Sequence, residues 1–238
     1  MTRDRTDGSR RRVPLWLVLG VLAVGLVLVV VAVAAQVRAP QPPRSVGTID
    51  PTPTSTPAPT ASGDPSPAGA ATQAAAADQP LGASRPVRIT IPAIGVSSQV
   101  KPIGLAPDGT LAVPQPGPDE NKAAWFTKSP TPGQPGPAII EGHVDTTSGP
   151  SVFFELGKIR PGNRVQVTRA DGVVAVFTVD AVRDYPKSSF PTDTVYGAKN
   201  LGQPQLRLIT CSDFDAAIGH HTGNTVVFAH LTSTHRSP

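Results

Sequence analysis

Ten prolines fall between residues 40 and 80, in a stretch of Thr, Ser and Ala that reads PTPTSTPAPTASGDPSPAG at its centre. Such a segment has no hydrophobic period and cannot bury enough apolar area to offset chain entropy. It therefore divides the chain into parts that cannot share one core. Residues 36–84 are expected to form a disordered, extended linker of the polyproline kind. No aromatic residue lies between Trp16 and Trp125, which places the aromatic part of any core after the linker.

Before the linker, residues 13–35 run without a charge or a strong polar group. At 1.5 Å per residue this is long enough to cross a hydrocarbon layer about 30 Å thick. Arg10, Arg11 and Arg12 stand directly before it, and residues 1–12 carry a net charge of +3. The positive-inside tendency then predicts a cytoplasmic basic segment at 1–12, a transmembrane anchor at 13–35, and everything beyond outside the cell. A cleaved signal peptide and a twin-arginine signal are the rivals, but the apolar run exceeds a usual signal core.

From residue 85 onward the pattern changes. VRITI (87–91) alternates apolar and polar residues at period two, as a half-buried strand does. Further strands are expected at 99–103, 110–113, 138–142, 164–168, 173–183, 205–210 and 225–231. Turn signals separate them, and the 169–172 step (RADG) marks a hairpin. Short helical turns fit near 151–156 and 191–197. A mostly β domain over 85–238, closed or nearly closed into a barrel, is the expected architecture. This region holds 14 basic and 12 acidic residues with no basic stripe, which argues against nucleic-acid binding.

Cys211 is the one cysteine of the chain, so no internal disulfide and no paired-cysteine zinc site can form. The apolar run QLRLIT gives way to the polar SDFD at Cys211, which reads as a strand end opening into a loop. A free cysteine is most often a buried structural residue. However, an exported protein carries a risk in keeping a reactive thiol. A thiol also needs a neighbouring base or cation to become a nucleophile. Of the five histidines, His143 follows the apolar run PAIIEG in the same way as Cys211 follows its own. His220 and His221 follow Cys211, His230 lies within the last strand pattern, and His235 sits in a polar tail. Asp213 and Asp215 are spaced like calcium ligands but read as a solvated turn. No cofactor and no metal site is expected.

LITC (208–211), with Gly-His (142–143) earlier in the chain, resembles the signature of the sortase family. The stretches 138–156 and 210–230 are most similar to its actinobacterial class F branch. The resemblance spans about 85–231. It implies an eight-stranded closed sortase-type β-barrel and a membrane-anchored cysteine transpeptidase. Cys211 would form a thioester with the Thr carbonyl of an LPXTG-like sorting signal on a secreted protein. His143 would serve as acid and base, and the acceptor would be an amine of a peptidoglycan precursor or a pilin. The arginine that the family carries on its last strand corresponds to Asn224 here. Arg207, on the Cys211 side of its strand by period two, and Asn224 are the candidates for oxyanion and substrate binding. A catalytically weak or silent barrel that binds such peptides is the alternative. So is another cysteine enzyme of the wall, with His220 or His221 as its base.

Overall fold

A computed structural model describes residues 79–197 and 202–237, together with Pro43 and the pair Ala75–Ala76. The expected basic segment and anchor at 1–35, and most of the expected linker, lie outside the described residues. Among the described residues no helix is long and apolar enough to cross a membrane.

Eleven strands follow in chain order: β1 (Ala75–Ala76), β2 (Pro86–Ile91), β3 (Val96–Ile103), β4 (Ala123–Phe126), β5 (Gly136–Glu141), β6 (Asp145–Thr146), β7 (Gly149–Pro150), β8 (Arg164–Arg169), β9 (Val173–Pro186), β10 (Pro204–Asp215) and β11 (His220–Arg236). Among the described residues one short helix, α1 (Thr192–Val195), joins three 3-10 turns. The main sheet runs β11-β10-β5-β4-β3-β2-β8-β9 and closes through β9 onto β11, making an eight-stranded barrel. β10 pairs parallel with β5, and β3 parallel with β4; the other barrel pairs are antiparallel. β1 adds two residues beside the end of β11. β6 and β7 form a small separate ribbon.

Alternation along each strand sends one set of side chains into the barrel and the other outward. Ile140 of β5, Leu206 and Leu208 of β10, and Val227 and Ala229 of β11 enter the interior with Ile89, Phe153 and Phe177. Their outward neighbours Ile139, Ile209 and Val226 form a second cluster with Phe190, Tyr196 and Phe228. β5 is buried along its whole length, which explains its nearly continuous apolar sequence.

Several expectations need correction. Strands β2, β8 and β9 begin or end within a few residues of their expected limits, and Gly172 makes the expected hairpin turn at φ 77°. Segment 110–113 is not a strand; it contributes one bridge, Leu105 to Leu111. Pro114, Pro116 and Pro118 follow it and have no N–H to extend a ladder. β4 was not visible in the sequence, because AAWF is four residues long with no polar alternation. Packing also begins before residue 85: the Leu81 amide donates to the Gly133 carbonyl at 2.8 Å, and the Ser84 amide to Thr131 Oγ1.

That early segment is held by Arg169, which is 2% exposed. Its guanidinium donates to the Pro132 carbonyl at 2.6 Å, the Gly82 carbonyl at 2.7 Å and Asp171 Oδ2 at 2.7 Å. One cation thus ties the chain entering the barrel, the 130–134 turn and the β8–β9 hairpin. Replacing Arg169 with Ala strands the buried Pro132 carbonyl and removes the bonds to Gly82 and Asp171, and is expected to cost on the order of 1–3 kcal/mol. Denaturant unfolding of the full chain checks this; a loss under about 0.5 kcal/mol would remove Arg169 from this role.

Candidate active site

Cys211 lies within β10, not at its end. The strand runs on to Asp215 and turns into β11. The change to polar residues at Cys211 marks where β10 leaves the packed wall of the barrel, since burial falls away after Ser212. His143 follows β5 directly after Gly142. The Gly142 amide donates to the Ile209 carbonyl at 3.1 Å, and Thr210 Oγ1 donates to the Gly142 carbonyl at 2.8 Å. Both backbone groups of the residue before His143 are therefore held by residues just before Cys211. No side chain fits at Gly142: a Cβ there would stand 2.6 Å from Val152 Cγ1 and 2.8 Å from Phe153 Cδ2.

Register extends this into a row. Arg207 is opposite Ile139, and Ile209 is opposite Glu141, so continuing the pleat sets Cys211 beside His143. Cys211 is in turn opposite Asn224 on β11, and Asn224 is opposite Tyr185 on β9. His143, Cys211 and Asn224 line one cavity of about 400 Å³ on the outer face of the barrel. Cys211 and His143 are both half-buried, reachable yet packed. A larger and more open cavity of about 660 Å³ lies elsewhere, between β3 and the 150–155 loop, and contains neither cysteine nor histidine.

His143 Nε2 lies 2.8 Å from the Pro114 carbonyl. A carbonyl only accepts, so Nε2 carries a hydrogen and Nδ1 holds the lone pair of the neutral ring. Thr110, Leu111 and Val113 line the same cavity, so the 104–122 segment lies along the site as well as fixing its histidine. The other wall comes from the β9–β10 connection, with Lys187, Phe190 and Tyr196.

Arg207 does not join this cavity. It stands four residues before Cys211, about 13 Å along the strand at strand rise. Its guanidinium stacks over Phe228, 4.6 Å from the ring centroid, and donates to the Leu206 carbonyl. Period two gave its face correctly but not its reach. Burial pulls it down to about 10, partly offset by the charge of Asp180. The late histidines are also elsewhere. His221 Nε2 is 3.0 Å from Asp145 Oδ1, His220 Nδ1 is 3.0 Å from the Ile218 carbonyl, and His230 pairs with Asp180 at 2.6 Å. His235 is not in a tail but on β11, opposite Val174. Among the described residues no group of three acidic, histidine or cysteine side chains could hold a metal.

Two charged cavity residues escaped the sequence reading. Lys187 sits in a connection whose path the sequence does not give. Glu141 lies inside an apolar strand, two residues before His143 and on its face; that parity was the signal available. Glu141 is 5% exposed, and burial pushes its carboxyl up to about 8.

A sortase-domain family model matches residues 89–232, more than half of the chain. No curated protein matches it. Among solved structures the chain is similar to sortase A of Listeria monocytogenes, at 17% identity over 64% of this chain and 91% of that one, with a TM-score of 0.48. It is also similar to a lid mutant of sortase A from Corynebacterium diphtheriae, at 21% identity over 63% and 72%, TM-score 0.47. Sortase C-1 of Actinomyces oris matches at 18% identity over 61% and 72%, TM-score 0.48.

Glu141 makes stability depend on pH in a defined direction. Its ordinary value is 4.5, and the folded state raises it to about 8. Below pH 4.5 both states are protonated and the folded protein bears no penalty. Between 4.5 and about 8 only the unfolded chain ionises, so stability falls by up to about 1.4 kcal/mol per pH unit. Unfolding free energies of the wild type and Glu141→Gln should diverge in the variant's favour across this window. A difference constant with pH would mean that Glu141 ionises normally in the fold.

Proposed function

The chain belongs to the sortase family and is a cysteine transpeptidase; on that premise we propose that Cys211 is its nucleophile and His143 its general acid and base. The observation that carries this assignment is that the only thiol of the chain shares one cavity with His143, which directly follows Gly142, a residue whose backbone is held by the strand bearing the thiol.

The substrate is a secreted protein ending in an LPXTG-like sorting signal. The Cys211 thiolate attacks the Thr carbonyl carbon, and the Thr–Gly C–N bond breaks. The leaving amine takes a proton from the His143 imidazolium, and a thioester remains on Cys211. The acceptor amine, from a peptidoglycan precursor or a pilin lysine, loses a proton to His143 as it attacks. The thioester then breaks, and sulfur leaves as the thiolate. Because Nε2–H is directed to the Pro114 carbonyl, Nδ1 is the nitrogen that exchanges the proton.

Asn224 supplies a neutral hydrogen bond where the family carries an arginine. It faces Cys211 across β10 and β11 and lines the cavity, which supports its role toward the oxyanion. We assign the chain to the class F branch on the stretches 138–156 and 210–230. We place residues 13–35 as its membrane anchor, with the N-terminus cytoplasmic and the barrel outside on the 36–84 linker.

The full chain in detergent, given a fluorogenic LPXTG-type peptide and triglycine, tests this reading. Cys211→Ala should abolish turnover and the acyl adduct in the intact mass. His143→Ala should lower kcat by roughly 10²–10⁴. Asn224→Ala should lower it by roughly 10². Equal turnover by wild type and Cys211→Ala would end the assignment.

A further inference from the structure

Glu141 stands among apolar side chains in the Cys211 cavity. Leu111, Phe190, Tyr196 and Ile209 line the same region. Oε1 of Glu141 is shielded from solvent and has no hydrogen-bond partner. No ion pair among the described residues involves it, although Lys187 lines the same cavity. An unpartnered buried oxygen destabilises a fold, and Ile139, two residues earlier on the same face, shows what the wall accepts for packing alone. The carboxyl gains a use if the occupant of the cavity supplies the missing bond.

Its position says what that occupant presents. Glu141 is opposite Ile209, one pleat before Cys211. Alternate residues of an extended chain are about 7 Å apart. A peptide lying along β10 with its scissile carbonyl at Cys211 thus brings a second side chain over Glu141. An acceptor amine reaching past Cys211 meets the same oxygen. The desolvation of the carboxyl is already incurred in the free protein, and a turn about its soft terminal torsion brings Oε1 to the cavity side, where an arriving donor bonds it.

We propose that Glu141 is a specificity-determining residue that accepts a hydrogen bond from an N–H group of the substrate, an ammonium or a carboxamide, held in the Cys211 cavity. This rests on the reading of that cavity as the substrate site. It adds a requirement that an LPXTG-type pattern does not contain: a donor group one pleat away from the scissile residue, or on the acceptor.

The test has two arms and a reading independent of turnover. In the first arm, each residue before the Thr of the donor peptide is in turn Lys, Gln or Leu, with triglycine as acceptor. In the second, the donor is fixed and the acceptor is n-butylamine or 1,4-diaminobutane, which differ by one further N–H-bearing amine. The full chain should favour the N–H-bearing partner at one position in one arm by about tenfold or more in kcat/KM. Glu141→Leu should bring that ratio to within twofold, whatever its absolute rate, and Glu141→Gln should retain part of it. The arm in which the ratio appears identifies the source of the N–H group. Independently, in Cys211→Ala, the ¹³C carboxyl resonance of Glu141, assigned by its loss in Glu141→Gln, should move on adding n-butylamine or the preferred peptide at constant pH. This reading stands if Glu141→Leu does not fold or if no peptide is turned over. A chain that turns over peptides without preference in either arm overturns the proposal and leaves the Cys211 assignment intact. An unmoved Glu141 resonance overturns it as well.

Discussion

Parallel pairing of β10 on β5 makes neighbours of residues far apart in the sequence. The Gly142 amide continues the β5–β10 ladder onto the Ile209 carbonyl, and Thr210 Oγ1 closes on the Gly142 carbonyl. These bonds fix where His143 leaves β5 relative to Cys211. A parallel pair needs a long crossover, and here the whole path from β6 through β9 supplies it. A one-residue slip of β10 would turn Cys211 into the barrel and bring Leu208 and Thr210 out. The buried interior guards against that slip: Leu206 and Leu208 are fully buried with Ile140 and Val227. The hydrophobic core thus specifies the register of the site.

The same alternation sorts the polar groups of the outer face. Arg207 lies in the row of Ile139 and Phe228, Glu141 in the row of Ile209, and Cys211 in the row of Asn224. Arg207 finds aromatic stacking, the Leu206 carbonyl and Gln205 Oε1 for its charge. Glu141 finds no partner for Oε1, and desolvation therefore favours its neutral form. Tyr196, half-buried beside it, is raised by burial and also by the Glu141 charge. The cavity thus sets a thiol at one level and a desolvated carboxyl at the next, between partly apolar walls.

Strands with two distinct faces were legible from the sequence, because period two survives in VRITI and in 164–168. That His143 and Cys211 would come to one place was legible from motif resemblance and from the similar setting of both residues. The setting was misread in one respect: polarity after Cys211 signalled the end of the core, while the strand itself continues as a solvent-exposed hairpin with β11. Backbone pairing there needs no apolar side chains, so hydrophobic pattern does not report it. β4 was hidden for the opposite reason, being buried too fully to alternate. Glu141 fell inside the expected strand at 138–142 and was not taken as a site residue; the parity it shares with Ile139 and His143 is what places it in the cavity.

The 104–122 segment shows how a stretch without regular structure can still fix chemistry. Pro114, Pro116 and Pro118 offer no amide donors, so the segment cannot be drawn into the sheet at those residues. Their carbonyls stay available, and the Pro114 carbonyl takes Nε2–H of His143. A carbonyl in that position selects one tautomer and one ring orientation, as a carboxylate does in other cysteine and serine catalysts, but without adding a negative charge. The proposed reaction takes both proton transfers from a single imidazole, and with Nε2 held on the Pro114 carbonyl it is Nδ1 that is left to make them.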